Sequence, residues 1–278
     1  MPEGPEIRQE ADRIARVLEG QQITRATITP DHIKDYEATI QGQLVTRIYT
    51  RGKAMLVEFG CDLTLYSHNQ LYGRWMTRKN GKLPATQRKL RVALYTPKGL
   101  ACLYSASDVE ILSNNELALH PFLAKLGPDV LDAATTIRSI KTRLLDKAFV
   151  KRQLGNLFLD QSFLAGVGNY LRSEILFDSG LHPQIRPTQL SETELASLAE
   201  STLRICERAY REKGVVNDPQ RVSELRAQGA TRSKLRFAVF ARQHEPCYRC
   251  GHRIERIAVA SRRLYLCPSC QALPEGTS

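Results

Sequence analysis

The chain has 278 residues, 42% hydrophobic and 25% charged, enough for two modest domains with a core in each. No apolar run approaches the roughly 20 residues a bilayer-spanning helix needs. The acid-bearing opening MPEGPEIRQE lacks the basic-then-apolar layout of a signal peptide, so a cytoplasmic protein is expected. Forty Lys and Arg against 29 Asp and Glu give a net charge of +11, and eleven basic residues against three acids between Arg221 and Cys270 supply +8 of it. A clustered excess of this kind neutralises phosphates and releases counterions, which makes nucleic acid the leading partner.

The first predicted element is a helix over Pro5–Leu18. Ile7, Ala11, Ile14 and Leu18 recur at helical spacing, with Pro5 in the first turn and Gly20 at the stop. Glu6 begins this helix and Glu3 lies one turn earlier, and on local grounds both are acids favoured by the helix dipole. From Gln22 to Ser107 the period changes to short β runs (LVTRIYT, AMLVEF, LTLYS, RVALYT, LACLYS) separated by turns, which predicts an antiparallel sandwich or barrel. After Asp108 helical stretches follow around Leu112–Leu126, Thr136–Phe149, Gln153–Phe163, Tyr170–Phe177 and Glu192–Tyr210. Within FLAGVGNYLRSEIL (Phe163–Leu176) a glycine turn joins two helices, with Asn169 as the expected N-cap. Amides at that helix start could hold a phosphate, and a routine helix connection is an equal reading. The polar stretch Lys213–Ser233 is expected to be a long mobile loop.

Seven cysteines divide into two groups. Cys61, Cys102 and Cys206 stand alone and read as core residues. Cys247-x2-Cys250 and Cys267-x2-Cys270, sixteen residues apart, carry the spacing of one closed, structural four-thiolate zinc site. The intervening IERIAVASRRLYL alternates like a β-hairpin that would present Arg262 or Arg263.

The segments PEGPE, the RGK turn (Arg51–Lys53), DLTLYSHNQLYG (Asp62–Gly73), LYSASD (Leu103–Asp108), HPFLAKLGPDVL (His120–Leu131), DQSFLAGVGNYLRSEIL (Asp160–Leu176) and the four-cysteine finger occur in this order. Together they resemble the formamidopyrimidine-DNA glycosylase/endonuclease VIII family over nearly the whole chain, and its bacterial endonuclease VIII branch most of all. The resemblance implies an α+β multidomain protein: an N-terminal antiparallel β-sandwich with an N-terminal helix, a helical domain with a helix–two-turn–helix, and a four-cysteine zinc finger. The expected boundaries are 1–127, 128–235 and 236–271.

The resemblance also implies a bifunctional DNA glycosylase and abasic-site lyase of base excision repair. Pro2, freed of Met1, would be the nucleophile at C1′, with Glu3 as proton donor and Glu6 supporting proton movements in the same pocket. An α-amine has an ordinary pKa of about 7.7–8.0, so part of it is neutral near pH 7, and a nearby cation such as Lys53 enlarges that part. A secondary amine yields an iminium with no N–H to lose, a lasting electron sink that favours β- and then δ-elimination. Lys53 would touch phosphate and serve β-elimination. Asn169 and Arg262 would clamp phosphates, Arg262 also serving δ-elimination, and Arg263 is its alternative. Gln70, Leu71 and Tyr72 match a wedge that fills the stack a flipped base vacates, and Lys125 stands where the family places a phosphate-binding arginine. The wedge points to oxidised pyrimidines; purine lesions such as 8-oxoguanine, or damaged-DNA binding without catalysis, are the competing readings. The expected protein is a monomer on damaged double-stranded DNA, with one structural zinc and neither membrane nor nucleotide cofactor.

Overall fold

The structure is a computed structural model and describes residues 2–273. The chain divides into two compact units, Met1–Lys125 and Leu126–Ser278.

The first unit opens on helix α1 (Gly4–Leu18). The residues predicted to form its apolar stripe, Ile7, Ala11, Ile14 and Leu18, are all at most 2% exposed. Each large one contributes about 1.5–3 kcal/mol by leaving water. Strand β1 (Arg25–Ile28) and short helix α2 (Tyr36–Ile40) follow. Then come strands β2 (Val45–Arg51), β3 (Ala54–Phe59), β4 (Leu63–His68), β5 (Arg74–Arg78), β6 (Leu90–Thr96), β7 (Gly99–Tyr104) and β8 (Asp108–Ser113). They form two four-stranded antiparallel sheets, β1-β6-β7-β5 and β2-β3-β4-β8. Ile28, Val92, Leu94, Leu103 and Trp75 of one sheet share a core with Val45, Met55, Val57, Leu65, Val109 and Ile111 of the other, and α1 joins the same core.

The sequence places helical structure from Leu112 onward, but residues 108–113 form an eighth strand in register with β4. The period-2 burial of Val109 and Ile111 was there to be read. Helix α3 (Asn114–Leu119) starts only after Ser113, whose side chain accepts the Glu116 N–H.

The second unit holds α4 (Ile137–Leu144), α5 (Leu154–Leu157), α6 (Asn169–Asp178), α7 (Glu192–Arg211), α8 (Pro219–Ala227) and α9 (Arg232–Leu235), then the hairpin β9 (Glu255–Val259) and β10 (Arg262–Leu266). The expected helix over Gln153–Phe163 shrinks to α5. Asp160 accepts the Ser162 amide (2.8 Å) and hydroxyl (2.7 Å), a local bond that competes with helix continuation. The segment Lys213–Ser233, expected to be a loop, is about half helical, through α8 and the start of α9. Asp218 caps α8 by accepting the Gln220 and Arg221 amides, Pro219 fills its first position, and Val222 packs with Val215 and Leu235.

The hairpin is not a separate appendage. Its Leu264 and Leu266 lie in the same buried cluster as Leu157, Phe158, Leu171 and Ile175. Among the described residues no helix is long and apolar enough to cross a membrane.

Candidate active site, phosphate contacts and metal centre

Pro2 precedes α1 and is half-buried, and Glu3 occupies the N-cap position with only 2% of its surface exposed. Glu6, one turn on, accepts the Glu3 amide N–H at 3.1 Å. That bond fixes the first turn, and with it the carboxylate that follows the proline. Lys53 sits in the two-residue turn of the β2–β3 hairpin, where Gly52 supplies the left-handed φ of +59°. Its charge is felt at His68: burial pushes the imidazole below its ordinary value of 6.5, Asp108 opposes the shift, and Lys53 adds to it.

The β4–β5 connection carries Gln70, Leu71 and Tyr72, and it is pinned at several points. Asn69 is 4% exposed and its amide donates to the Glu10 carboxylate on α1 at 2.8 Å. The Gly73 N–H closes the turn on the Asn69 carbonyl at 2.7 Å; a Cβ at residue 73 would lie 2.6 Å from Asn69 Cα. Gln70 adopts φ +46° and donates its amide to His68 Nδ1, while the Ser107 hydroxyl donates to its side chain. Arg88 donates to the Tyr72 carbonyl. From this fixed frame Leu71 and Tyr72 project 65% and 71% exposed. Such exposure of two adjacent large apolar side chains marks a contact surface. Lys125 ends the first unit, exposed at the close of the short turn Leu123–Lys125, whose Leu123 is buried.

In the second unit the N-cap of α6 is Gly168, not Asn169. Gly168 takes the extended conformation before the helix, and Asn169 is its first helical residue. The Asn169 side chain is held by Arg172 Nη2, which donates to its Oδ1 at 2.7 Å. Arg172 is fully buried; Nη1 donates to the Gly155 carbonyl (2.7 Å) and Nη2 also to the Arg263 carbonyl (3.3 Å). One guanidinium therefore links Asn169 to the hairpin strand that starts at Arg262. Arg262 and Arg263 are both exposed, just after the tight turn at Ala260 and Ser261, whose φ values are +51° and +59°. Glu174, 1% exposed, accepts the backbone amides of Ala238, Val239 and Phe240 at 2.8–2.9 Å, tying α6 to the chain that enters the finger. Neither Arg172 nor Glu174 was singled out from sequence. The available signal was an Arg and a Glu set among the apolar residues Tyr170, Leu171, Ile175, Leu176 and Phe177.

Among the described residues, Cys247, Cys250, Cys267 and Cys270 form a group able to hold a metal, with all four Sγ atoms within 4.8 Å of one another. Cys250–Cys267 at 3.5 Å and Cys247–Cys270 at 3.9 Å bracket the edge of about 3.8 Å that a tetrahedron with 2.3 Å Zn–S bonds requires. Burial and then the neighbouring thiols push Cys270 above its ordinary range, so a bound divalent cation would be what holds it as a thiolate beside three others. Four thiolates leave no open position, so zinc here is structural.

Three family models match in order: the formamidopyrimidine-DNA glycosylase N-terminal domain over residues 1–106, its H2TH domain over 126–219, and the zinc finger found in FPG and IleRS over 245–273. A sandwich with an N-terminal helix, a helix–two-turn–helix module and a thiolate finger thus define the class. The chain belongs to the formamidopyrimidine-DNA glycosylase family. It is 47% identical to proteins named Endonuclease 8 from Enterobacter sp. (strain 638) and Salmonella paratyphi B, across 98% of this chain and 100% of theirs. A Lactococcus lactis Fpg bound to abasic-site DNA and MutM bound to carbocyclic 8-oxo-G DNA superpose with TM-scores of 0.78 at 22% identity, covering 98% of this chain and 100% of each.

Proposed function

We propose that the protein is a bifunctional DNA glycosylase and abasic-site lyase of base excision repair that removes oxidised pyrimidines. The observation that carries the reading is the start of α1: Pro2 stands directly before a buried Glu3 whose backbone is fixed by Glu6. The full-length likeness to Endonuclease 8 proteins supports it.

With Met1 removed, the secondary amine of Pro2 attacks C1′ of the damaged nucleotide. Glu3 delivers a proton as the glycosidic bond breaks. The sugar opens to an iminium on Pro2. That cation withdraws the electrons left when a C2′ proton departs, which expels the 3′ phosphate; a second elimination expels the 5′ phosphate and hydrolysis frees the proline. Lys53, on its rigid hairpin turn, holds phosphate and serves the first elimination, and Arg262 or its neighbour Arg263 serves the second. Asn169 and Lys125 hold backbone phosphates. Zinc on the four cysteines shapes the hairpin that presents Arg262 and takes no part in bond breaking. Gln70, Leu71 and Tyr72 occupy the stack left by the extruded base, an exchange that costs roughly a few kcal/mol of unstacking. We assign residues 1–127 to a catalytic β-sandwich domain that also carries the wedge, 128–235 to a helix–two-turn–helix DNA-binding domain and 236–271 to the zinc finger. The protein acts as a cytoplasmic monomer.

Borohydride trapping tests the nucleophile. Wild type should give a covalent adduct with abasic DNA, Pro2→Gly none, and Glu3→Gln an adduct with abasic DNA but slow release of a damaged base. An untrapped wild type would leave only damaged-DNA binding. Duplexes bearing thymine glycol or 8-oxoguanine test the substrate, and faster release of 8-oxoguanine overturns the pyrimidine assignment.

A further inference from the structure

We propose that Glu10 is a positioning residue that holds the Leu71–Tyr72 loop to the helix carrying Pro2 and Glu3. The inference rests on the wedge reading given above and deepens it. Glu10 lies two turns into α1, on a side chain 14% exposed. One carboxylate oxygen accepts from Asn69 Nδ2 at 2.8 Å, and the other faces Arg13 at 3.9 Å. The backbone amide of Trp75 also bonds this carboxylate, and Arg74 adds its charge. Asn69 and Trp75 are the two stems of the loop that carries Gln70, Leu71 and Tyr72. A single acceptor therefore grips both stems from the helix that positions the nucleophile.

The contact has the features of a device rather than of routine packing. Asn69 is nearly inaccessible, and its amide reaches across 59 residues of chain to one charged acceptor. Burying a carboxylate is costly, which a helix residue avoids by facing water. Asn69, Trp75 and two arginines, all in or beside the loop or on the next turn of α1, offset part of that cost, though burial still holds the carboxyl above its ordinary range. The loop tip, by contrast, keeps its apolar residues in solvent. Without the grip the two stems lose the carboxylate that ties both to α1, and an insertion that must hold near-atomic register becomes less closely placed.

The test compares Glu10→Leu, which removes the acceptor, with Glu10→Gln, which retains one toward Asn69, using a thymine glycol duplex and the same lesion in an unpaired bubble. In the bubble no stacked neighbour must be displaced. Glu10→Leu should slow duplex release about tenfold, the size of one lost charge-assisted hydrogen bond, with bubble release unchanged and Glu10→Gln between it and wild type. A 2-aminopurine opposite the lesion should lose the emission rise that follows wedge entry. Equal loss on both substrates, or no loss on either, overturns the positioning role. Leu71→Ala separates the two levels: if it slows duplex release and Glu10→Leu does not, the Glu10 inference alone fails. If Leu71→Ala has no effect, the wedge reading fails with it.

Discussion

Replacing Arg172 by Met probes whether one buried guanidinium ties the start of α6 to Gly155 and to the hairpin. Methionine fills similar volume, so the change chiefly removes donors. The Gly155 carbonyl, Asn169 Oδ1 and the Arg263 carbonyl lose their partner, and Gly155 is buried. Buried acceptors left unpaired cost about 1–3 kcal/mol each. Removing a fully buried cation returns part of its desolvation cost, which brings the expected net loss to about 2–4 kcal/mol. The only tryptophan, Trp75, lies in the first unit, so its emission is blind to this change. Far-UV circular dichroism during urea unfolding follows the loss of helix, most of which lies in the second unit, and the Trp75 transition identifies the share of the first. Affinity for undamaged duplex should fall in parallel, because Asn169 loses the donor that orients it. An Arg172→Lys variant, able to reach one acceptor, should lie between. A helical transition within about 1 kcal/mol of wild type, with unaltered DNA affinity, would refute the idea that Arg172 carries these contacts.

Gly73→Ala should destabilise the first unit by about 1–3 kcal/mol and slow duplex repair, since its Cβ meets Asn69 backbone at 2.6–2.7 Å; Trp75 emission during denaturation reads the first effect. A strong zinc chelator should lower the helical transition of the second unit while the Trp75 transition stays put, because Leu264 and Leu266 belong to the helical core. His68 should titrate below 6.5 by NMR, and Lys53→Ala should move it upward. With the folded value depressed, the stability this histidine contributes is complete above pH 6.5 and is lost as pH falls toward the folded value.

Periodic elements were the legible part of the fold. The α1 stripe and the five long β runs announce themselves because burial repeats along them. Strands β1 and β5 are four and five residues long, too short for a period to stand out. Strand β8 was masked by the helix-forming NNELAL that follows it. For α8 the Asp218–Pro219 pair is a helix-start signal that the polar, glycine-bearing surroundings obscured. In the candidate site the four cysteines were legible from their spacing alone. Pro2, Glu3 and Lys53 came forward only through the resemblance of the whole ordered set of segments, because locally they read as a helix start and a turn. Glu10 was not, because its partner Asn69 is adjacent only after folding, and Arg172 looks like any helix arginine until its acceptors gather from three segments.

The pinned loop has a consequence for how the protein meets intact DNA. Leu71 and Tyr72 stand in water before any duplex arrives, on a backbone that has already surrendered its freedom. Under the proposed wedge role, the apolar surface that the pair keeps in water would be dehydrated on insertion between bases and rehydrated on withdrawal. Binding to damaged DNA should carry a negative heat-capacity change that shrinks when both are alanine, with little entropy spent on ordering the loop itself. Interrogation of a sound base pair then becomes a brief, reversible exchange of solvent for stacking, its outcome set by how firmly that base pair resists.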